Sequence, residues 1–400
     1  MELTGLEILR WAHGGDGVGV PVQGELAGAV VFVPRAVPGD VVRCRIVRRK
    51  KRWARAELVA IERSSPHRVT PVCPVQAECG GCPWMAGAPA AQAASRRAIL
   101  GGEVDKRLGA SQEVVRLAPP AGATLGYRAR VRMAWEVDAR GQVRLGYRAP
   151  GSHRLVDVPG CPVAAPAIEA ALPALRELLS ERGPGRGEVS LVAGREGVAG
   201  RIAPERGAPI AIGPPSVTLG EEPYAIRADA ETFVQANPAV ARAIAEQVEA
   251  MAREAGGRHA VELFAGAGTL TLPLLRAGYR VTAYESAAGA RAWFHDNVAG
   301  RGEATWHLCD LLATGVPWPA PEPPDLVLLD PPRTGALEMM AWVRACGARV
   351  VLMVSCDVST AMRDLAALVE GGAWAVTDIV GHDMFPHTGH QEVVARAVRT

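Results

Sequence analysis

The sequence predicts an α/β protein whose C-terminal half is a doubly wound, mostly parallel sheet, preceded by two smaller β-rich units. Three observations predict it. From about residue 229, helix-compatible stretches alternate with the apolar runs HAVELF, RVTAYE, DLVLLD and RVVLMVS. Strands covered on both faces of a parallel sheet read as unbroken apolar runs of this kind. A glycine-bearing loop, ELFAGAGT, closes the first of these runs, where open α/β sheets bind their ligands. The first 62 residues differ: short apolar stretches such as AVVFVP and DVVRCRIV are separated by Gly and Pro turns.

Residues 1–62 read as a small OB-like β-barrel. Between Val41 and Ala56 stand eight basic residues and no acid: Arg43, Arg45, Arg48, Arg49, Lys50, Lys51, Arg52 and Arg55, with Trp53 among them. On a barrel they form a surface that tracks phosphates beside an aromatic for base stacking; the plainer alternative is a solvated strand pair. Residues 63–228 form a central α+β domain. It opens with a cysteine-bearing segment, continues as a helix over 89–108, and carries a second helix near 166–182 among short strands. Residues 229–400 form the doubly wound domain, closed by the strands WAVTDIVGHDMF and EVVARAV paired antiparallel.

A chain of 400 residues with 48% hydrophobic and 22% charged residues has material for two or three folded domains. No apolar run reaches the roughly 18 residues of a membrane span, and MELTGLEILR lacks the pattern of a secretory signal. The expectation is a cytoplasmic protein with no membrane partner and no evident obligate protein partner. The net charge is only +2, so affinity for nucleic acid rests on local patches. In a reducing compartment, the eight cysteines are expected to bind metal or do chemistry rather than pair.

In the loop Glu262-Leu-Phe-Ala-Gly-Ala-Gly-Thr269, Gly266 and Gly268 let the backbone turn sharply and approach a ligand. A nicotinamide-binding loop also carries such glycines. Here the third glycine of that fingerprint is missing, an acid (Glu262) precedes the loop, and the next strand ends in Glu285, placed for a ribose diol. Asp310 ends a further short strand, within reach of an adenine. Asp330-Pro331-Pro332-Arg333 follows DLVLL, where the two prolines stiffen the turn beside the crevice. This order is that of a class I (Rossmann-like) S-adenosylmethionine (SAM)-dependent methyltransferase.

The strand RVVLMVS ends at Cys356. A cysteine there is either a small buried hydrophobe or a nucleophile facing the crevice. Carbon 5 of uracil is too poor a nucleophile to take a methyl group directly. A thiolate adding to carbon 6 makes it an enolate carbon that can attack the donor. A base must then remove the proton from carbon 5, and Glu392 in HTGHQE is the candidate. His387 and His390 flank it without the HExxH spacing of a zinc site. Cys73, Cys79 and Cys82 form CxxxxxCxxC, and Cys161 in GCP is a distant fourth thiol. Four thiolates suit zinc and an iron–sulfur cluster about equally; unrelated buried cysteines are the third reading.

The motifs FVQANP (Phe233–Pro238), ELFAGAGTLTLPL, DPPRTG, SCDVST and DMFPHTGHQEVV resemble, in this order, the RNA uracil-5 methyltransferases, over nearly the whole chain. The resemblance implies Cys356 as nucleophile and Glu392 as base. It places Gln235, Phe264, Glu285 and Asp330 at the donor and uracil sites, and Gly266, Gly268, Thr269 and Asp310 complete the expected donor-binding set. It implies a TRAM domain in residues 1–62 and residues 89–113 packed on the catalytic domain. It also implies a [4Fe-4S] cluster on Cys73, Cys79, Cys82 and Cys161, as in the ribosomal-RNA branch of the family. Asp357-Val358 stand where the family usually has Asn-Pro, and Thr269 where it often has Asn. The expected partner is RNA: a uridine of 23S rRNA, with the T-loop of transfer RNA as the alternative. A non-catalytic RNA-binding protein and a methyltransferase for small molecules or proteins are the other classes. The intact Cys356 and Glu392 argue against the first, and the basic N-terminal unit against the second.

Overall fold

Alternation builds the first strands. In β5 (Val41–Arg49) and β6 (Trp53–Arg63), Val42, Cys44, Ala54 and Ala56 point inward while Arg43, Arg45, Arg55 and Glu57 face water. A computed structural model describes residues 1–109, 112–316 and 322–400. They fall into two compact units: Met1–Ile99 with Arg144–Pro162 and Phe385–His390, and the rest.

In the first unit, β1 (Glu2–Glu7), β2 (Arg10–Trp11), β3 (Gly17–Gly19) and β4 (Val30–Val33) join β5 and β6 in one curled sheet of order β1-β5-β6-β4-β3-β2. Leu6, Ile8, Val31, Val33, Val42 and Cys44 fill its concave side. Its edge strands β1 and β2 pair with no other strand among the described residues, so the sheet forms a half-barrel. The cysteine segment follows, and its end is fixed: Trp84 is fully buried and stacks on Trp11 with ring centroids 4.7 Å apart. Helix α1 (Pro89–Leu108) begins in this unit with Pro89 in its first turn, and continues into the second from Leu100.

In the second unit, Leu100 and Val104 of α1 lie in the core of the large sheet. Residues 110 and 111 of the stretch 89–113 are outside the described residues. Then come β7 (Val115–Leu117) and β8 (Arg130–Val137). The chain returns to the first unit as the hairpin β9 (Val143–Arg148) and β10 (Leu155–Asp157), which leads to Cys161. Helix α2 (Pro166–Glu181) buries Ile168, Leu172, Leu175 and Leu179, the three-and-four spacing of one helix face. It is followed by β11 (Gly185–Gly194), β12 (Gly197–Pro204) and β13 (Ile210–Ile212), antiparallel in the order β8-β11-β12-β13. A short pair, β14 (Val217–Leu219) and β15 (Ile226–Ala228), precedes α3 (Pro238–Ala255).

The large sheet is built from β16 (His259–Leu263), β17 (Arg280–Glu285), β18 (Ala304–Leu308), β19 (Leu326–Leu329), β20 (Val350–Ser355), β21 (Trp374–His382) and β22 (Glu392–Arg399). Helices α4 (Thr271–Arg276), α5 (Ala290–Val298), α6 (Leu311–Thr314), α7 (Met340–Ala345) and α8 (Val358–Val369) connect its strands. Its order is β18-β17-β16-β19-β20-β22-β21-β7. The strands from β18 to β20 run parallel, and β22 is inserted antiparallel between β20 and β21. Every residue of β16, β19 and β20 is buried, as their unbroken apolar runs require. No helix among the described residues is long and apolar enough to cross a membrane.

Candidate active site

The strand order reverses between β16 and β19, and the crevice outside the carboxyl ends of these strands is where such a sheet holds a ligand. Phe264, first residue after β16, has φ +66°, a left-handed conformation uncommon outside glycine. It starts a turn that Gly266 (φ +54°) and Gly268 (φ +89°) continue. A Cβ on Gly266 would meet nothing within 4 Å, leaving open space over this turn. A Cβ on Gly268 would stand 3.2 Å from the Phe294 ring, so this glycine serves packing. Glu285, at the end of β17, accepts from the Gly266 N–H at 2.9 Å and from the Ser286 and Ala287 N–H groups at 2.7 Å each. The open turn and this carboxylate suit an adenosyl donor.

Gln235 and Thr269 line a solvent-open cleft of about 440 Å³ with Tyr224, Val234 and Arg242. The FVQANP motif has a local logic. Asn237 caps α3 by accepting from the Val240 N–H, and Pro238 occupies its first turn, so Gln235 enters the cleft from a fixed helix start. Asp310 caps α6, accepting from the Ala313 N–H at 3.1 Å.

The reactive groups gather at β19, β20 and β22. Register pairs Ser355 with Val393, so the next residues outward, Cys356 and Glu392, come together although 36 positions apart in sequence. Glu392 is buried, and its Oε2 finds no hydrogen-bond partner among the described residues. Leaving such an atom unpaired costs about 1–3 kcal/mol, which marks a site held ready for a proton or a ligand. Burial pushes this carboxyl well above the usual range; Asp330 pushes it further, and Arg333 opposes. Asp330 is raised to about 7 by burial and by Glu285. The Cys356 thiol is pushed up to about 11 by burial and by the carboxylates of Glu392 and Asp330, while the nearby Arg333 guanidinium opposes this and favours the thiolate. The place of Arg333 in DPPR does not signal this nearness to the thiol. Glu262, fully enclosed and hydrogen-bonded by Thr271, is raised to about 8 by burial.

The departure at Asp357-Val358 has a structural reading. Asp357 caps α8, its Oδ1 accepting from the Thr360 N–H at 2.9 Å, and Val358 takes the first helical position. Asp and Asn cap about equally well, and proline is favoured but not required after the cap.

In the first unit, Cys73 and Cys161 come close enough for the charge of one to raise the pKa of the other. The Gly81 N–H donates to the Cys79 sulfur at 3.4 Å, and the Gln76 side chain donates to the Cys82 carbonyl at 3.3 Å, tying the two halves of the cysteine loop. Among the described residues, however, no three Cys, His, Asp or Glu side chains are gathered as a metal ion requires. His387 and His390 belong to this unit, where His387 takes hydrogen bonds with Gln92.

No family model matches the chain. It is 32% identical, over 92% of its length and 90% of the relative's, to the 23S rRNA (uracil(1939)-C(5))-methyltransferase RlmD of Edwardsiella ictaluri. The RlmD proteins of Halomonas elongata (33%, covering 97% and 88%) and Aeromonas hydrophila (31%, covering 93% and 92%) are similar to the same extent. Among solved structures it resembles the Pyrococcus abyssi tRNA (uracil-54, C5)-methyltransferase in complex with S-adenosyl-L-homocysteine, with a TM-score of 0.77, 23% identity and 99% of each chain covered. At that identity the likeness speaks for the fold.

Proposed function

This chain belongs to the family of RlmD-type RNA uracil-C5 methyltransferases, and we propose that it methylates carbon 5 of a uridine in 23S rRNA, with Cys356 as nucleophile and Glu392 as base. The observation that carries the reading is the meeting of Cys356, Glu392, Asp330 and Arg333 at one end of the large sheet. S-adenosylmethionine supplies an electrophilic methyl group when bound. The open turn at Gly266 and the carboxylate of Glu285 support donor binding there, with Phe264, Gly268, Thr269, Gln235 and Asp310 around it and Asp330 at its border with the uracil.

The thiol rests protonated. Adding to the ring requires it to lose that proton to solvent while the positive charge of Arg333 favours the sulfur anion. The thiolate forms a bond to carbon 6, and carbon 5 takes the methyl group. Glu392 removes the proton from carbon 5, and the bond between sulfur and carbon 6 breaks. Burial raises the proton affinity of the Glu392 carboxylate, which makes it a stronger base for that proton. RNA carrying 5-fluorouridine at the target, with the donor, should leave a stable adduct on the wild-type protein. The Cys356→Ala variant must leave none; an undiminished adduct there overturns the assignment.

The half-barrel and its basic β5–β6 turn support a TRAM-like RNA-binding role for residues 1–62, ahead of the central domain 63–228 and catalytic domain 229–400. Arg48 lies over the Trp53 ring at 5.6 Å, a pairing suited to stacked bases and phosphate. The choice of ribosomal over transfer RNA rests on the names of the relatives. Methyl transfer to protein-free 23S rRNA and to unmodified transfer RNA, side by side, tests it; labelling of the transfer RNA alone reverses it. Cys73, Cys79, Cys82 and Cys161 are proposed as ligands of a [4Fe-4S] cluster with a structural role, supported by the Cys73–Cys161 approach and the glycine turn between Cys79 and Cys82. Protein purified without oxygen should then contain iron and acid-labile sulfide. A single stoichiometric zinc would replace the cluster with a zinc site.

A further inference from the structure

We propose that Asp364 is a positioning residue for this reaction: with Arg363 it pins the loop Thr334–Ala336 so that the adjoining Arg333 guanidinium stays near the Cys356 thiol. The proposal rests on the reading of Cys356 as nucleophile. Its geometry lies wholly within the second unit. Asp364 sits two turns into α8 and is fully buried. Its Oδ2 accepts from the Ala336 N–H at 2.6 Å, and its Oδ1 accepts from the Arg363 Nε at 2.8 Å. Arg363 Nη2 donates in turn to the Thr334 carbonyl at 2.9 Å. Between these contacts lies Gly335 at φ +80°; a Cβ there would stand 2.4 Å from Arg363 Nη2 and 2.5 Å from Asp364 Oδ2. The loop is thus drawn directly onto the pair, closer than any other residue allows.

A carboxylate buried away from water is expensive unless its hydrogen bonds compensate, and here they go to this loop. Burial also raises the Asp364 carboxyl, against the backbone and guanidinium bonds that lower it. The loop's other end is stiffened by Pro331 and Pro332, so Arg333 is held from both sides. The same helix begins just after the nucleophile: Asp357, next to Cys356, caps α8. One rigid element therefore fixes both the thiol and the loop that brings the cation to it. Sequence spacing alone gives no sign of this, because Asp364 and Ala336 are 28 positions apart.

The test uses the full-length protein without RNA. Alkylation of Cys356 by iodoacetamide is followed by mass of its peptide from pH 7 to 10.5, for wild type and for Asp364→Ala, Asp364→Asn, Arg363→Ala, Arg333→Ala and the Arg333→Ala/Asp364→Ala double variant. Losing the held cation should move the thiol titration upward and slow alkylation at pH 8.5 by about tenfold, the effect of one pKa unit. Asp364→Asn keeps an acceptor oxygen and should recover most of the rate. The double variant should be no slower than Arg333→Ala, since both changes remove one effect. An unchanged titration in Asp364→Ala, or losses that multiply in the double variant, overturns the proposal. If Asp364→Ala fails to fold, the Arg363→Ala titration decides alone, a wild-type curve overturning it. Failure of the nucleophile assignment shows separately, as an adduct that survives in Cys356→Ala.

Discussion

On β5, alternate residues face water and most are arginines; on β16, β19 and β20 no residue faces water at all. The N-terminal sheet has one apolar face to cover, and its other face is free to meet a charged partner. The large sheet is covered on both faces and offers only its strand ends. Asp330, Cys356 and Glu392 at those ends are desolvated, whereas the charges on β5 and its turn keep their water. Lys50, Lys51 and Arg52 pair with no carboxylate among the described residues, while Arg45, Arg49 and Arg55 have partners in Glu57, Glu25 and Asp16. In the proposed function the contrast divides two tasks: salt-sensitive grip on a polyanion, which needs exposed charge, and selective chemistry, which needs enclosed charge.

The comparison breaks first at the enclosed end. Cys356→Ala should reduce methyl transfer to background while donor binding, measured by calorimetry, stays near wild type. Glu392→Gln should lower turnover by about 10²–10⁴-fold, the range of a lost general base, and should accumulate a covalent RNA–protein complex with ordinary RNA on denaturing gels. Normal turnover in that variant would move the proton transfer to Asp330.

At the exposed end the effect should be graded. Replacing Lys50, Lys51 and Arg52 by Ala should weaken RNA binding and flatten the slope of log K against log salt by about 0.7–0.9 for each phosphate no longer neutralised. Transfer at saturating RNA should not change. An unaltered slope would mean that this turn does not touch the backbone.

The smallest effect concerns stability. Glu262 is raised from 4.5 to about 8 in the folded chain, so folding favours its protonated form. Stability is therefore greatest below the unfolded value and falls as pH rises from about 4.5 toward 8. Glu262→Gln should raise the thermal midpoint at pH 8.5 and change it little at pH 4.5; equal shifts at both would place the effect in packing.

The same divide explains what could be read from the sequence. The runs at β16, β17, β19 and β20 declare themselves because both faces are covered. Helix α1 matches the stretch 89–108 read from its composition. Cys356 and Glu392 were legible as motif residues, but their meeting depends on the antiparallel insertion of β22, which no local signal encodes. Val115–Leu117 pairs in parallel with β21 as an edge strand too short for any periodicity to show. The curled sheet was legible as short strands and turns, yet a closed barrel was not: whether β1 and β2 meet depends on curvature, which side-chain alternation does not specify. The contact of Asp364 with the Ala336 N–H comes from loop closure alone.

The placement of β22 also orders events during synthesis. It is the last strand of the chain, yet it stands between β20 and β21 and carries Glu392 as its first residue. A nascent chain that has emerged only through α8 already contains the Gly266 turn and Cys356, but it lacks Glu392 and leaves one edge of β20 without its neighbour. Domains assemble from the N-terminus as they are made, and such pairings wait for their partner. In the proposed mechanism, the base that frees the methylated ring is thus added to the fold after the thiol that attacks it.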